Sequence, residues 1–153
     1  MNEETIVRTY ADMVYKIAYR YVGNPTDADD VFSETFLTLF KKERVFEDEE
    51  HRKAWLIRVT INCAKDLLKG KSSWEELDEN MVGDDGPDLG SEEHLDLHEA
   101  IQQLRLEYRE VICLHYLEGL SVTDIAAILG RNENTVKTHL ARGREKLRKF
   151  LEG

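Results

Sequence analysis

The stretch EGLSVTDIAAILGRNENTVKTHLARGREKLRKFL, residues 118–151, decides the fold class of the C-terminal third. Ser121 followed by Asp124 reads as a helix N-cap, and the helix behind it is about eight residues long, closing at Gly130. A second, longer helix is expected to begin near Asn132. Short helix, glycine-containing turn and long helix make a helix-turn-helix unit, in which the first helix props the second in a DNA major groove. Ala126 is small where the two helices must approach, and Ile125, Leu129, Val136 and Leu140 supply their shared core. Asn132, Glu133, Asn134, Lys137 and Thr138 are polar side chains able to reach base edges. Arg142, Arg144, Lys146, Arg148 and Lys149 suit phosphate contacts that position without reading sequence. A generic helical hairpin with a solvated basic face is the bland alternative. It leaves unexplained why cap, small residue, turn glycine and basic helix occur in that order.

Upstream of this unit, Leu95, Leu97, Ile101 and Leu104 predict a helix begun by Ser91 as N-cap. Tyr108, Val111, Ile112, Leu114 and Tyr116 predict another, stopped at Gly119. Further back, KSSWEELDENMVGDDGPDLG (71–90) loses all periodicity and reads as a linker. Its Trp74 and Leu77 could anchor it on a partner or pack back on the preceding block. That block opens with Ile6, Tyr10, Met13, Val14, Ile17 and Tyr21 on one helix face, broken by the Gly-Asn-Pro of 23–25. Thr26, with Asp29 three residues on, is expected to cap a second helix carrying Val31, Phe32, Phe36, Leu39 and Phe40. After the charged loop ERVFEDEE (43–50), a third helix is expected to bury Trp55, Val59, Cys63 and Leu67 and to close near Gly70. No stretch alternates as a strand would. The chain therefore reads as all-α: a helical domain over 1–71, an acidic linker over 72–90 and a second helical domain over 91–153.

Charge is distributed along the same divisions. Among the 153 residues the net charge is -10, yet residues 1–71 hold 12 basic and 13 acidic side chains. Residues 72–100 hold 11 acids and no Lys or Arg, while 131–149 hold 7 bases against 2 acids. A phosphate backbone responds to the local patch, so the acidic total does not exclude nucleic acid. No apolar run of about 18 residues is present, which excludes direct membrane insertion by a spanning helix. The acid-bearing N-terminus lacks the basic segment of a secretory signal, and a cytoplasmic location is expected. Cys63 and Cys113 sit in apolar helical patterns and read as free, packed thiols. No phosphate-cradling glycine loop, metal cluster or nucleophile–base pair is legible, so neither a catalytic site nor a cofactor is expected.

Taken together, the two blocks resemble a bacterial RNA polymerase sigma factor of the sigma-70 family, extracytoplasmic-function group. Three runs carry the resemblance: DADDVFSETFLTLFKK (27–42), RKAWLIRVTINCAKDLLKGK (52–71) and YREVICLHYLEGLSVTDIAAILGRNENTVKTHLARGREKLR (108–148). The resemblance implies that Asp27, Asp30, Glu34 and Phe36 dock on core RNA polymerase. It implies that Arg58, Asn62, Lys65 and Lys69 face the single-stranded -10 element; Phe46, the loop aromatic, is a candidate to stack on an unpaired base, with simple packing as the alternative. Asn132, Glu133, Asn134, Lys137, Thr138, Arg142 and Arg144 would then serve the -35 duplex. Promoter DNA, core polymerase and an anti-sigma factor are the partners it implies. The chain departs from the family pattern at Leu104-Arg105-Leu106, where Leu-Pro is usual, at His139, where an Arg is common, and at Lys69, where Arg is frequent. A stand-alone helix-turn-helix regulator, or an interaction protein with a degenerate DNA face, would use the same C-terminal unit differently.

Overall fold

The computed structural model describes residues 2–41, 45–71 and 96–152. The linker expected over 72–90, its Trp74 and Leu77, and the expected helix start at Ser91 lie outside those residues. The described helices group into two compact units, one ending at Lys71 and the other lying beyond it. All regular structure among the described residues is helical.

In the first unit, α1 (Glu3–Val22), α2 (Pro25–Lys41) and α3 (Glu49–Lys71) each pack on the other two. Asn2 caps α1 by accepting the Thr5 amide at 2.8 Å. Gly23 ends it in the left-handed region at φ 82°, returning its N–H to the Tyr19 carbonyl. A side chain there would be strained, which is why the break falls at this residue. The start of α2 differs from the expected Thr26 cap. Asn24 Oδ1 accepts the Asp27 amide at 2.9 Å, and Pro25 takes the first helical position, where its missing N–H costs nothing.

The core of this unit joins Ile6, Tyr10 and Val14 of α1 to Phe36 and Leu39 of α2 and to Trp55 and Leu56 of α3. On α3 the buried stripe is Leu56, Ile57, Thr60, Ile61 and Ala64 beside Trp55, whereas Val59, Cys63 and Leu67 stand at its margin. The expected stripe is thus rotated, because α3 meets two helices at once and small Ala64 and Thr60 face them. Thr35 and Thr60 are fully buried, and each satisfies its hydroxyl on the carbonyl four residues back. Gly70 lies within α3 rather than ending it.

The second unit comprises α4 (Leu97–Gln103), α5 (Leu106–Ile112), a π turn over Cys113–Leu117, α6 (Val122–Leu129) and α7 (Glu133–Glu152). The helix carrying Ile101 is capped by Asp96, not by Ser91. Asp96 accepts the Glu99 amide at 2.8 Å while Glu99 reaches back to the Asp96 N–H, a closed capping box. Leu97, placed in that helix's first turn, is half exposed instead of core. Leu104 and Arg105 are extended, separating α4 from α5 at the point where the family's proline is missing. Arg109 donates to the carbonyls of Leu104 (3.2 Å) and Gln102 (3.4 Å), covering acceptors at the end of α4.

The π turn displaces Tyr116 from the helical stripe, leaving it 50% exposed. Gly119, at φ 74°, reverses the chain, and the Leu120 amide closes on the Leu114 carbonyl at 3.0 Å. The core gathers Ile101, Leu104, Tyr108, Val111, Ile112, Leu114, Ile125, Val136 and Leu140. Ile128 occupies the buried place expected for Leu129, which is partly exposed. Gly143 is buried on α7, where α5 comes so close that a Cβ would stand 2.8 Å from Ile112 Cγ1.

Candidate nucleic-acid interface

Local capping positions α7. Ser121 Oγ accepts the Asp124 amide at 3.0 Å to start α6, and Gly130 ends it at φ 68°. Asn132 Oδ1 accepts the Asn134 amide at 2.7 Å, and the Asn132 carbonyl accepts the Val136 amide at 3.0 Å. Val136, Leu140 and Gly143 turn inward from α7. Asn132, Glu133, Asn134, Lys137, Thr138, Arg142 and Arg144 are all exposed. Asn134, Lys137, Thr138 and Ala141 share the outward stripe, at spacings of three and four. The dipole's positive end lies at these first residues, where an approaching phosphate is favoured.

Several of these side chains already have partners. Glu133 accepts from the Thr123 hydroxyl at 3.2 Å, tying α7 to α6. Arg144 donates to the Tyr116 hydroxyl at 2.7 Å. Arg148 is held between Glu145 at 2.6 Å and Glu152 at 2.9 Å. Those carboxylates, Glu145 first, raise the Arg148 pKa and offset its charge on the surface.

Arg131 turns largely inward, its side chain 20% exposed. Its Nη2 pairs with the Glu110 carboxylate, and its Nη1 reaches the Glu107 carbonyl at 3.3 Å and lies 3.4 Å from His139 Nδ1. His139 packs edge-on against Tyr108 and stands 3.9 Å from Glu107, which also pairs with Arg105 at 2.9 Å. One of the seven bases of 131–149 is therefore neutralised internally. The His that replaces a common Arg belongs to this network. Sequence reading missed both Glu110 and Arg131; the available signal was an acid inside the apolar run Tyr108–Leu114.

On α3, Arg58, Asn62, Lys65 and Lys69 fall on one stripe, Lys65 partly covered and the others exposed. Phe46 is partly buried, its ring edge-on to Trp55 (5.6 Å) and His51 (5.3 Å), with the Arg52 guanidinium 5.1 Å above it. The ring packs on the core at the mouth of α3, and Trp55 is buried beneath it. The preceding loop is held by His51, whose Nδ1 accepts the Glu47 amide and whose own amide donates to Asp48. Tyr10 OH donates to Glu49 Oε2 at 2.5 Å, joining α1 to the start of α3. Burial, then this hydrogen bond to a carboxylate, push the Tyr10 pKa up to about 12.

The four α2 residues do not share one surface. Asp27 is 5% exposed and accepts from Asn24 Nδ2 at 2.9 Å, so its carboxylate completes the helix start. Phe36 is buried against Phe32, 4.9 Å between ring centres, and Phe40 at 6.2 Å. Asp30 and Glu34 are exposed, and Leu37 continues their stripe with half its surface in solvent. An apolar residue off the core stripe was the sequence signal for Leu37. Nearby Cys63 is half-buried, and burial, its largest cause, raises the thiol pKa; the reactive thiolate is correspondingly disfavoured.

Comparison with known proteins divides the chain in the same way. Residues 6–73 match the family description "Sigma-70 region 2", and residues 94–147 match "Sigma-70, region 4". The chain is 34% identical over 157 residues to the ECF RNA polymerase sigma factor SigE of Mycolicibacterium smegmatis, covering 97% of this chain and 61% of that protein. It is 33% identical over 162 residues to the ECF RNA polymerase sigma factor SigW of Bacillus subtilis, covering 95% and 87% respectively. Among solved structures, the sigma factor RpoE of Bartonella quintana, in complex with the anti-sigma factor NepR, superposes with a TM-score of 0.76 at 25% identity. That match covers 97% of this chain and 96% of the other.

Proposed function

The chain belongs to the sigma-70 family of RNA polymerase sigma factors, in the ECF group, and from that premise we propose how its surfaces divide the work. α7 reads the -35 duplex through Asn132, Glu133, Asn134, Lys137 and Thr138, while Arg142 and Arg144 hold phosphates. The α3 stripe of Arg58, Asn62, Lys65 and Lys69 faces the -10 single strand. Phe46 supports that surface as part of the wall beneath it. Core polymerase docks on Asp30, Glu34 and Leu37, whereas Asp27 and Phe36 act only by shaping α2.

The observation that carries this reading is the pairing, on one chain, of two compact helical units, each with an exposed polar stripe on one helix. Each unit alone offers a modest surface, and polymerase can join their affinities through effective concentration. The acid-rich 72–90 segment connects the units, and neutralising its acids is expected to weaken core binding or alter early transcript release. The protein works in the cytoplasm without catalytic groups or cofactors of its own. An anti-sigma factor restrains it by covering the polymerase-docking surfaces, as a partner of that kind accompanies the Bartonella relative.

Reconstitution with core polymerase on a promoter library tests the proposal, with selective initiation from a shared -35/-10 pair expected. Tight binding to a palindrome without polymerase would instead establish a stand-alone regulator. Within that assay, Lys137→Ala should shift base preference at one -35 position. Arg142→Ala should weaken all sequences alike and lower the salt slope by about one; altered base preference at Arg142 would contradict this division.

A further inference from the structure

We propose that the buried Glu110–Arg131 pair is a positioning device that sets the register of α7 on DNA, and so its sequence discrimination. The proposal rests on the -35 reading of α7 given above. Arg131 lies between Gly130, which ends α6, and Asn132, which caps α7. Its backbone N–H donates to the Ala126 carbonyl at 2.9 Å. Its guanidinium pairs with Glu110 and donates to the Glu107 carbonyl at 3.3 Å, both on α5, and lies 3.4 Å from His139 of α7. One residue in the turn is thereby tied to all three helices, through its backbone to α6 and through its side chain to α5 and α7.

Glu110 is 1% exposed, in the middle of the unit's apolar core. Removing a carboxylate and a guanidinium from water is costly, and well-packed apolar residues often replace such pairs without loss of stability. What an apolar pair cannot reproduce is direction. The planar guanidinium fork fixes both the distance and the angle between the turn and α5. Base-edge contacts from Asn134 and Lys137 need placement within about 0.5 Å, whereas phosphate contacts by flexible arginines tolerate more. Loosening the fork should therefore degrade discrimination while sparing general affinity.

The pair has charged neighbours: Glu107 pairs with Arg105 at 2.9 Å and faces His139 at 3.9 Å. Neutral His139 with its proton on Nε2 suits both contacts, accepting from Arg131 at Nδ1 and pointing its N–H toward Glu107.

The test compares the full-length protein with a Glu110→Leu/Arg131→Met double variant and with Arg131→Lys, which keeps the charge but loses the fork. Each is titrated with a duplex carrying the selected -35 element and with a scrambled duplex of equal length. For the double variant, a tenfold or larger fall in the ratio of specific to scrambled affinity is expected, with scrambled affinity and helical content little changed. Arg131→Lys should lower the ratio at least threefold, and it decides the matter should the double variant fold poorly. An undiminished ratio in the folded variants overturns the proposal. Failure of the -35 reading itself would show as no preference in the unmutated protein. In that case amide exchange decides: Asn134 and Val136 must exchange faster in the variants while Val14 does not, and unchanged exchange overturns the positioning role.

Discussion

Replacing Gly143 with alanine sets helix propensity directly against packing. In the interior of a helix, alanine is favoured over glycine by about 1 kcal/mol, so an unhindered site would gain that much. Here the added Cβ would lie 2.8 Å from Ile112 Cγ1, 3.1 Å from its Cδ1 and 3.4 Å from Tyr108 Cβ. The closest atom is a mid-chain methylene of a β-branched residue buried in the core, and cannot swing away as a chain end would. Overpacking of this kind costs about 1–3 kcal/mol, and so short a contact belongs at the upper end. The net expectation is destabilisation of the second unit by about 1–2 kcal/mol. Because the chain has two units, a single unfolding midpoint is a poor readout. Amide exchange at Val136 and Leu140 reports the α5–α7 contact directly. It should speed up roughly 5–30-fold, while exchange at Val14 stays constant. Gly70→Ala is the matched control, since a Cβ there meets nothing within 4 Å; it should be neutral to mildly stabilising. Slower exchange in Gly143→Ala would refute the reasoning, because it would mean that the two helices leave room for the methyl group.

Three further outcomes are expected. The Tyr10 pKa is pushed up to about 12, so a tyrosinate absorbance titration should lose a step near that pH in Tyr10→Phe. Since the folded pKa lies above the ordinary value of 10.0, the stability it contributes is complete below pH 10 and is lost as pH rises toward 12. Its partner Glu49 has a lowered pKa, chiefly from the Tyr10 hydrogen bond, so that contribution holds above the ordinary carboxylate range and fades as pH falls through the lowered value. Asn24→Ala removes the acceptor for the Asp27 amide and should destabilise the first unit by about 1 kcal/mol in urea titrations followed by Trp55 fluorescence in a Trp74→Phe background; an unchanged midpoint would argue against the cap. Leu37→Asp should leave the fold within about 0.5 kcal/mol, as surface changes do. It should nevertheless weaken core-polymerase binding at least tenfold, and unimpaired binding would remove Leu37 from the docking surface.

The sequence by itself determined the features settled within a turn or two of chain. Ser121, Gly130 and Gly23 mark helix ends because caps and left-handed glycines act on amides and carbonyls a few residues away. The order of short helix, turn and basic helix was legible for the same reason, as was the segregation of acids into 72–100. Even Asn24, which displaced Thr26 as the cap, moved the start of α2 by only one or two residues.

Tertiary structure alone decided which way side chains face when several helices compete for them. The α3 stripe rotated because two helices, not one, pack on it. Asp27 and Phe36 went inward and Leu37 outward for reasons that a single periodic pattern cannot rank. Tyr10 finds Glu49 across 39 positions, and Arg131 finds Glu110 across 21. Gly143 inside a long helix looks like a weakness until the approach of Ile112 makes it a requirement. Local chemistry fixes where helices begin and end, because its partners are neighbours in the chain. Packing fixes which faces read, dock or lock, because those partners meet only after the chain has folded.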